Sequence, residues 1–129
     1  MRTNELRAAI MTKLNSIKTE QGISSIWYQI ADENAMYPHI VFDLSSADIG
    51  DMTRNDYTLD IEVFTYKDMA KAEDIADAIE DLFSYVNAPQ TGILPTFYPE
   101  IRTEVEDPDK NITRQLVRMT CQLYDRATS

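Results

Sequence analysis

One histidine and one cysteine, His39 and Cys121, are all the imidazole and thiol chemistry that the 129-residue sequence contains. A lone histidine excludes any two-histidine metal motif. A nucleophilic triad would need the fold to bring Cys121 or a serine to His39. Cys121 stands in an alternating apolar run between Met119 and Leu123, the setting of a buried structural thiol, whereas a reactive thiolate needs an exposed electropositive site. His39 follows Pro38 at the start of a strand and reads as a surface or packing residue. The remaining candidates are Asp60 and Glu62, which share one strand face and lie about 7 Å apart at the backbone. That spacing suits an acid/base pair or oxygen ligation of a divalent cation; a solvated or subunit-facing polar face is the simpler explanation. Gly22, Gly50 and Gly92 are the only glycines, too few and too scattered for a phosphate cradle. Nothing here forms a catalytic signature, and no cofactor or metal is expected.

The elements that would position these residues follow from periodicity. In the stretch from Tyr57 to Tyr66, Leu59, Ile61 and Val63 alternate with Asp60 and Glu62, which predicts a strand covered on one face. From Asp68 to Val86 the step changes to three and four, with Ile75, Ile79, Leu82 and Phe83 on one stripe of a helix that Asp68 would cap. A first amphipathic helix is predicted from Thr3 or Asn4 to about Thr19, ending near Gly22 in a left-handed cap. Strands are predicted at Ile26–Ile30, with Trp27 and Gln29 on one face and Ile26, Tyr28 and Ile30 on the other, and at His39–Leu44 after Pro38. Ser45 to Asn55 fits no period and reads as a long exposed loop, a kind that is commonly functional or disordered.

Past the second helix, Pro95 and Pro99 predict an irregular segment or a sheet edge. A strand from about Glu100 to Glu106 follows, then a turn at Asp107–Asn111. The last strand, Thr113 to Tyr124, places Val117, Met119, Cys121 and Leu123 inward and Arg118, Thr120 and Gln122 outward. The order α-β-β-β-α-β-β implies an α+β two-layer sandwich. A mixed, mainly antiparallel sheet of about five strands would pack against two helices in a single domain, residues 1–129.

Composition narrows the function further. Acidic residues outnumber basic ones 22 to 12, a net charge of −10, which argues against binding to phosphate backbones, where Lys and Arg displace counterions. The second helix exposes Glu73, Asp74, Asp77, Glu80 and Asp81 beside a lone Lys71. Asp81 sits near the helix C-terminus, where the macrodipole disfavours negative charge. The apolar runs are too short for a transmembrane helix, and Met1-Arg-Thr-Asn-Glu lacks the apolar core of a signal peptide. One cysteine rules out an internal disulfide and implies a reducing or indifferent compartment.

The pattern and order of these pieces resemble the small tail-terminator, or tail-completion, proteins of long-tailed bacteriophages and prophages. The residues that carry the resemblance are Leu6-Arg-Ala-Ala-Ile10, Tyr37-Pro-His-Ile-Val-Phe42 and the strand running straight into Ala70-Lys-Ala-Glu-Asp-Ile-Ala-Asp-Ala-Ile79. Asp107-Pro-Asp-Lys110 and the long final strand complete it. The prolines at Pro95 and Pro99 depart from a regular strand pair. The resemblance implies a non-enzymatic virion protein that assembles as a ring, usually hexameric, on the end of the tail tube. It would stop tube growth and join tail to head, with the host cytoplasm as its place during assembly. Its expected partners are further copies of itself, the major tail tube protein and the head-tail connector. DNA would pass the lumen without specific binding, and no membrane is involved.

Residues expected at the interfaces are Asp48, Asp51, Met52 and Arg54 in the long loop, Asp60, Glu62, Phe64 and Tyr66 on the third strand, and Arg118 and Tyr124 on the last. Two other readings stay open. One is a different neck, connector or baseplate component; the other is a small α+β enzyme or ligand-binding domain using Asp60, Glu62 and His39.

Overall fold

The computed structural model describes residues 2–46, 54–83 and 93–125. The elements run α1 (Arg2–Ser16), β1 (Ser25–Tyr28), β2 (His39–Ser46), β3 (Arg54–Tyr66), α2 (Met69–Phe83), β4 (Ile93–Val105) and β5 (Ile112–Asp125). The five strands form one sheet in the order β1-β2-β3-β5-β4. β1 and β2 are parallel, and the remaining neighbours are antiparallel. Both helices contribute to one apolar cluster on a single face of the sheet, so the architecture is the expected α+β two-layer sandwich with a mixed sheet.

The core is built by two periodicities meeting. Alternate residues of the central strands, Ile40 and Phe42, Leu59 and Ile61, Val117 and Met119, turn to the helices and are buried. Leu6, Ile10 and Leu14 of α1 and Ile75, Ile79 and Phe83 of α2 recur at helical spacing and are fully buried against them. Phe97 of β4 closes this layer edge-to-face on Phe83, with ring centroids 4.9 Å apart. Leu82, expected inside, is only half-buried at the rim of the core, and Val86 lies outside the described residues.

The β3–α2 corner is as tight as the sequence predicts. Lys67 takes a left-handed conformation (φ 53°), and Asp68 then accepts a hydrogen bond from the Lys71 amide at 2.9 Å. The carboxylate thereby satisfies one of the amides that a helix start leaves unpaired. The Thr65 hydroxyl donates to the Asp68 carbonyl at 2.8 Å, tying the last core-facing residue of β3 to the cap.

Several boundaries differ from the sequence reading. α1 stops at Ser16, and the chain continues in tight turns to Gly22, whose φ of +67° is the left-handed geometry expected there. β1 ends at Tyr28 because Gln29 also turns left-handed (φ 68°). Ile30, expected within the strand on the same face as Ile26 and Tyr28, is therefore 79% exposed. The long loop is shorter than expected, since β2 runs to Ser46 and β3 begins at Arg54; residues 47–53 lie outside the described set. β4 begins well before Glu100, at Ile93, and accommodates both Pro95 and Pro99 because it is an edge strand with a register shift between Pro99 and Ile101. An edge has one side with no ladder partner, so a missing amide there costs nothing.

The Asp68 cap gives a direct test. Asp68→Ala should lower unfolding free energy by about 1 kcal/mol, and Asp68→Asn should retain most of it. Urea denaturation followed by circular dichroism measures both, and equal stability of the alanine variant and the wild type would show that the cap does not hold α2.

Candidate functional site

With both helices on one side, the other face of the sheet is open, and alternation puts the predicted site residues there. Asp60, Glu62, Phe64 and Tyr66 project from β3 on the side away from the core residues Leu59, Ile61 and Val63. β5 pairs with β3 so that Arg118 faces Asp60 and Arg114 faces Phe64. Arg118 donates to both Asp60 oxygens, from Nε at 2.7 Å and from a terminal nitrogen at 3.1 Å. The two-point geometry matches a planar guanidinium to a carboxylate. The hydrogen bonds to Asp60, followed by its charge, raise the Arg118 pKa.

Arg114 is the busier cation. Its Nε donates to Glu62 at 3.0 Å, one terminal nitrogen reaches the same oxygen, and the other donates to Asp107 at 3.2 Å. Its guanidinium also lies 4.7 Å from the centroid of the Phe64 ring, close enough for cation–π attraction. Asp60 and Glu62, the two carboxylates considered for acid/base work, are thus each held by an arginine of the neighbouring strand. Arg114 does not stand out in the sequence, yet it shares the outward parity of Arg118. That alternation was the available signal.

Phe64 in turn is stacked on His39, centroids 4.8 Å apart and planes 12° apart. Tyr37 packs tilted against the imidazole at 5.0 Å and meets Tyr66 at 6.0 Å. The result is a row of rings across one end of the open face, from Tyr66 through Tyr37 and His39 to Phe64 and Arg114. The cis peptide Tyr37–Pro38 lies beside it. His39 is a packing residue, only 6% exposed. Burial pushes its pKa below the ordinary 6.5, partly offset by a hydrogen bond to the backbone of Met36. Cys121 is a buried structural thiol, pushed up to about 12 by burial and then by the Asp56 charge.

Of the other expected site residues, Asp48, Asp51 and Met52 lie outside the described residues. Arg54 and Tyr124 are register partners at the far end of the β3–β5 ladder, away from the ring row. The acidic side of α2 has a partner that the sequence reading missed. Arg102 of β4 turns toward the helix layer, bonds the carboxylates of Asp77 and Glu80, and donates to the Glu73 carbonyl at 2.9 Å. Among the described residues no group of three or more His, Cys, Asp or Glu side chains is placed to hold a metal ion, and no helix is long and apolar enough to cross a membrane.

Two predictions follow from these contacts. Replacing Arg114 with Met leaves two partly buried carboxylates without their donor and should destabilise by roughly 1–3 kcal/mol. Arg114→Lys should recover only part, because an ammonium cannot span both acids and lie flat on the ring; chemical denaturation of both variants decides it. For His39, the unfolded chain binds the proton more readily than the folded one. Its contribution is therefore complete above pH 6.5 and is lost as pH falls below 6.5 toward the lowered folded value. Denaturation midpoints taken from about pH 7.5 to about pH 5 should fall more steeply for the wild type than for His39→Phe.

Comparison of the chain with protein-family models and with curated protein sequences gives no match. Solved structures do match in fold. A chain in the virion of a native gene transfer agent particle superposes with a TM-score of 0.81 at 14% identity, over 95% of this chain and 96% of that one. The gp17 protein of bacteriophage SPP1 matches with a TM-score of 0.60 at 16% identity, over 93% and 89% of the two chains. At these identities the likeness is one of fold, and it extends along nearly the full length of each chain.

Proposed function

We propose that this chain is a structural protein of a tailed-phage type of virion, acting at the neck as a tail terminator. In this reading copies of the chain close into a ring on the end of the tail tube, stop its growth and offer a surface to the head connector. The observation that carries the proposal is the fold shared end to end with a chain of a gene transfer agent virion, supported by the likeness to a bacteriophage protein. Its partners would be further copies, the tube protein and the connector, and its place would be the virion after assembly in the host cytoplasm.

The local chemistry agrees with a structural role. Asp60 and Glu62 are committed to Arg118 and Arg114, which gives both acids a purpose in holding the sheet and leaves the enzymatic reading without its best pair. A net charge of −10 suits a protein that DNA passes without being gripped, because phosphates and carboxylates repel.

The test is solution mass by light scattering over a concentration series, with negative-stain imaging, combined with addition of the protein to growing tail tubes. A closed ring of about six subunits, the closed symmetry expected of a homo-oligomer, together with tubes of fixed length, is the expected outcome. A protein that stays monomeric at all concentrations and leaves tube length unchanged would overturn the proposal.

A further inference from the structure

β4 is an edge of the sheet, and the ladder shows which of its backbone groups point away from it. Along an antiparallel pair, opposed residues alternate between exchanging hydrogen bonds and exchanging none. The Lys67 amide donates to the Asn111 carbonyl at 2.7 Å, one step beyond the Tyr66–Ile112 pair. Odd-numbered residues of β5 therefore bond to β3, and even-numbered ones turn their backbone groups to β4. There Arg114, Leu116 and Arg118 oppose Val105, Thr103 and Ile101. The amides and carbonyls of Arg102 and Glu104 are left pointing outward, and among the described residues no strand pairs with that side of β4. The Glu104 carbonyl meets only the Thr103 hydroxyl, at 3.3 Å.

Pro95 and Pro99 oppose Leu123 and Met119, so they too stand where an amide would point outward, and they block that half of the edge. No proline interrupts Ile101–Val105, where Ile101, Thr103 and Glu104 are exposed.

We infer that this half of the edge pairs with the same segment of a second copy of the chain, antiparallel about a two-fold axis through Thr103. Each Arg102 then exchanges backbone hydrogen bonds with the partner's Glu104. The side chains match in the same register. Ile101, 51% exposed, meets the partner's Val105 on the open face, and Thr103 meets its own counterpart. On the helix side Arg102, still a quarter exposed while bonded to Asp77 and Glu80, meets the partner's Glu104. Apolar, Thr–Thr and opposite-charge pairs are the combinations that stabilise paired strands, so Ile101-Arg-Thr-Glu-Val105 is its own complement. Neighbouring registers are worse. Moving the axis to Arg102 or Glu104 keeps the amides matched but sets like charges directly opposite. Placing the axis between two residues opposes an outward amide to one that β5 already uses. Such a contact closes a pair and adds no further copy, so it differs from contacts that would repeat around a ring and stands or falls apart from that reading.

The test uses the full chain at about 0.15 M salt, which screens the acidic sides of the two α2 helices from each other. Residues opposed without mutual hydrogen bonds stand about 4.5 Å apart at Cα, within the span of a disulfide, and the native Cys121 is buried. Mild oxidation should therefore link Thr103→Cys into a covalent pair, and should not link Glu104→Cys, which lies on the same edge but is out of register with its counterpart. Glu104→Pro removes an amide that β5 does not use. It should weaken self-association in sedimentation equilibrium about tenfold, a difference of about 1.4 kcal/mol. Glu104→Arg, which opposes two like charges, should also weaken it and serves as the check should the proline variant not fold. Equal cross-linking at both positions, or unchanged association in the well-folded variants, would overturn the inference. So would an edge that stays unpaired in the free chain and gains amide protection only when tail tubes are added, since its partner would then be a tube strand. A ring of about six subunits without the Thr103→Cys cross-link would overturn the inference and leave the ring reading standing; the cross-link with no effect on tube length would do the reverse.

Discussion

The thirteen-residue ladder between β3 and β5 is the constraint on which the rest of the molecule depends. Side chains alternate along a strand, so one choice of register decides both faces at once. In the register observed, Leu59 faces Met119 and Ile61 faces Val117 toward the helices, while Asp60 faces Arg118 and Phe64 faces Arg114 on the open side. A slip by one residue would put Asp60 and Glu62 into the apolar layer and Leu59 and Ile61 into water. The hydrophobic contacts and the ion pairs therefore select the same pairing. The ion pairs also help to reject the alternatives, because charges are far more expensive to misplace than methyl groups.

Much of this was legible in the sequence because it is written in periodicity. The change from a step of two to a step of three and four at Asp68 locates the β3–α2 corner, and Asp68 itself identifies the cap. Burial of Cys121 follows from its parity with Val117 and Met119. The boundaries were less legible where backbone conformation overrides side-chain preference. Gln29 adopts a left-handed turn that only the surrounding fold demands, and it takes Ile30 out of the strand in which it was expected and leaves it exposed. Pro95 and Pro99 argue against a regular strand pair, yet β4 runs through both because it lies at the sheet edge. The prolines pointed to an irregular segment or a sheet edge, and the topology decides for the edge.

The candidate site was half legible for a related reason. Asp60, Glu62, Phe64 and Tyr66 share a face by alternation within one strand, and that much could be read directly. Their partners come from elsewhere: Arg114 lies 52 positions from Glu62, His39 is the register partner of Phe64 on β2, and Tyr37 approaches through the crossover. The parallel pairing of β1 with β2 is what brings that crossover onto the open face. A hairpin between those strands would have left this face without Tyr37 and without the covering segment, although His39 would still stack on Phe64 through the β2–β3 ladder. The chemical character of the face is thus a consequence of strand direction as much as of residue type.

The same contacts decide what the acidic character of the chain means. Arg102, Arg114 and Arg118 are all spent on carboxylates of this chain: Asp77 and Glu80, Glu62 and Asp107, and Asp60. Arg7 lies over the Tyr28 ring with its guanidinium 4.9 Å from the centroid and also donates to Asn4. Phosphate recognition depends on guanidinium groups whose donors are free to turn outward, and these four have inward work. These pairings leave the balance of charge unchanged at −10, because 12 basic residues cannot neutralise 22 acidic ones. What such a surface can bind is therefore set by subtraction: after the arginines have been used to hold strands and helix together, the charge left for partners is negative, and a partner that docks on it must bring cations of its own.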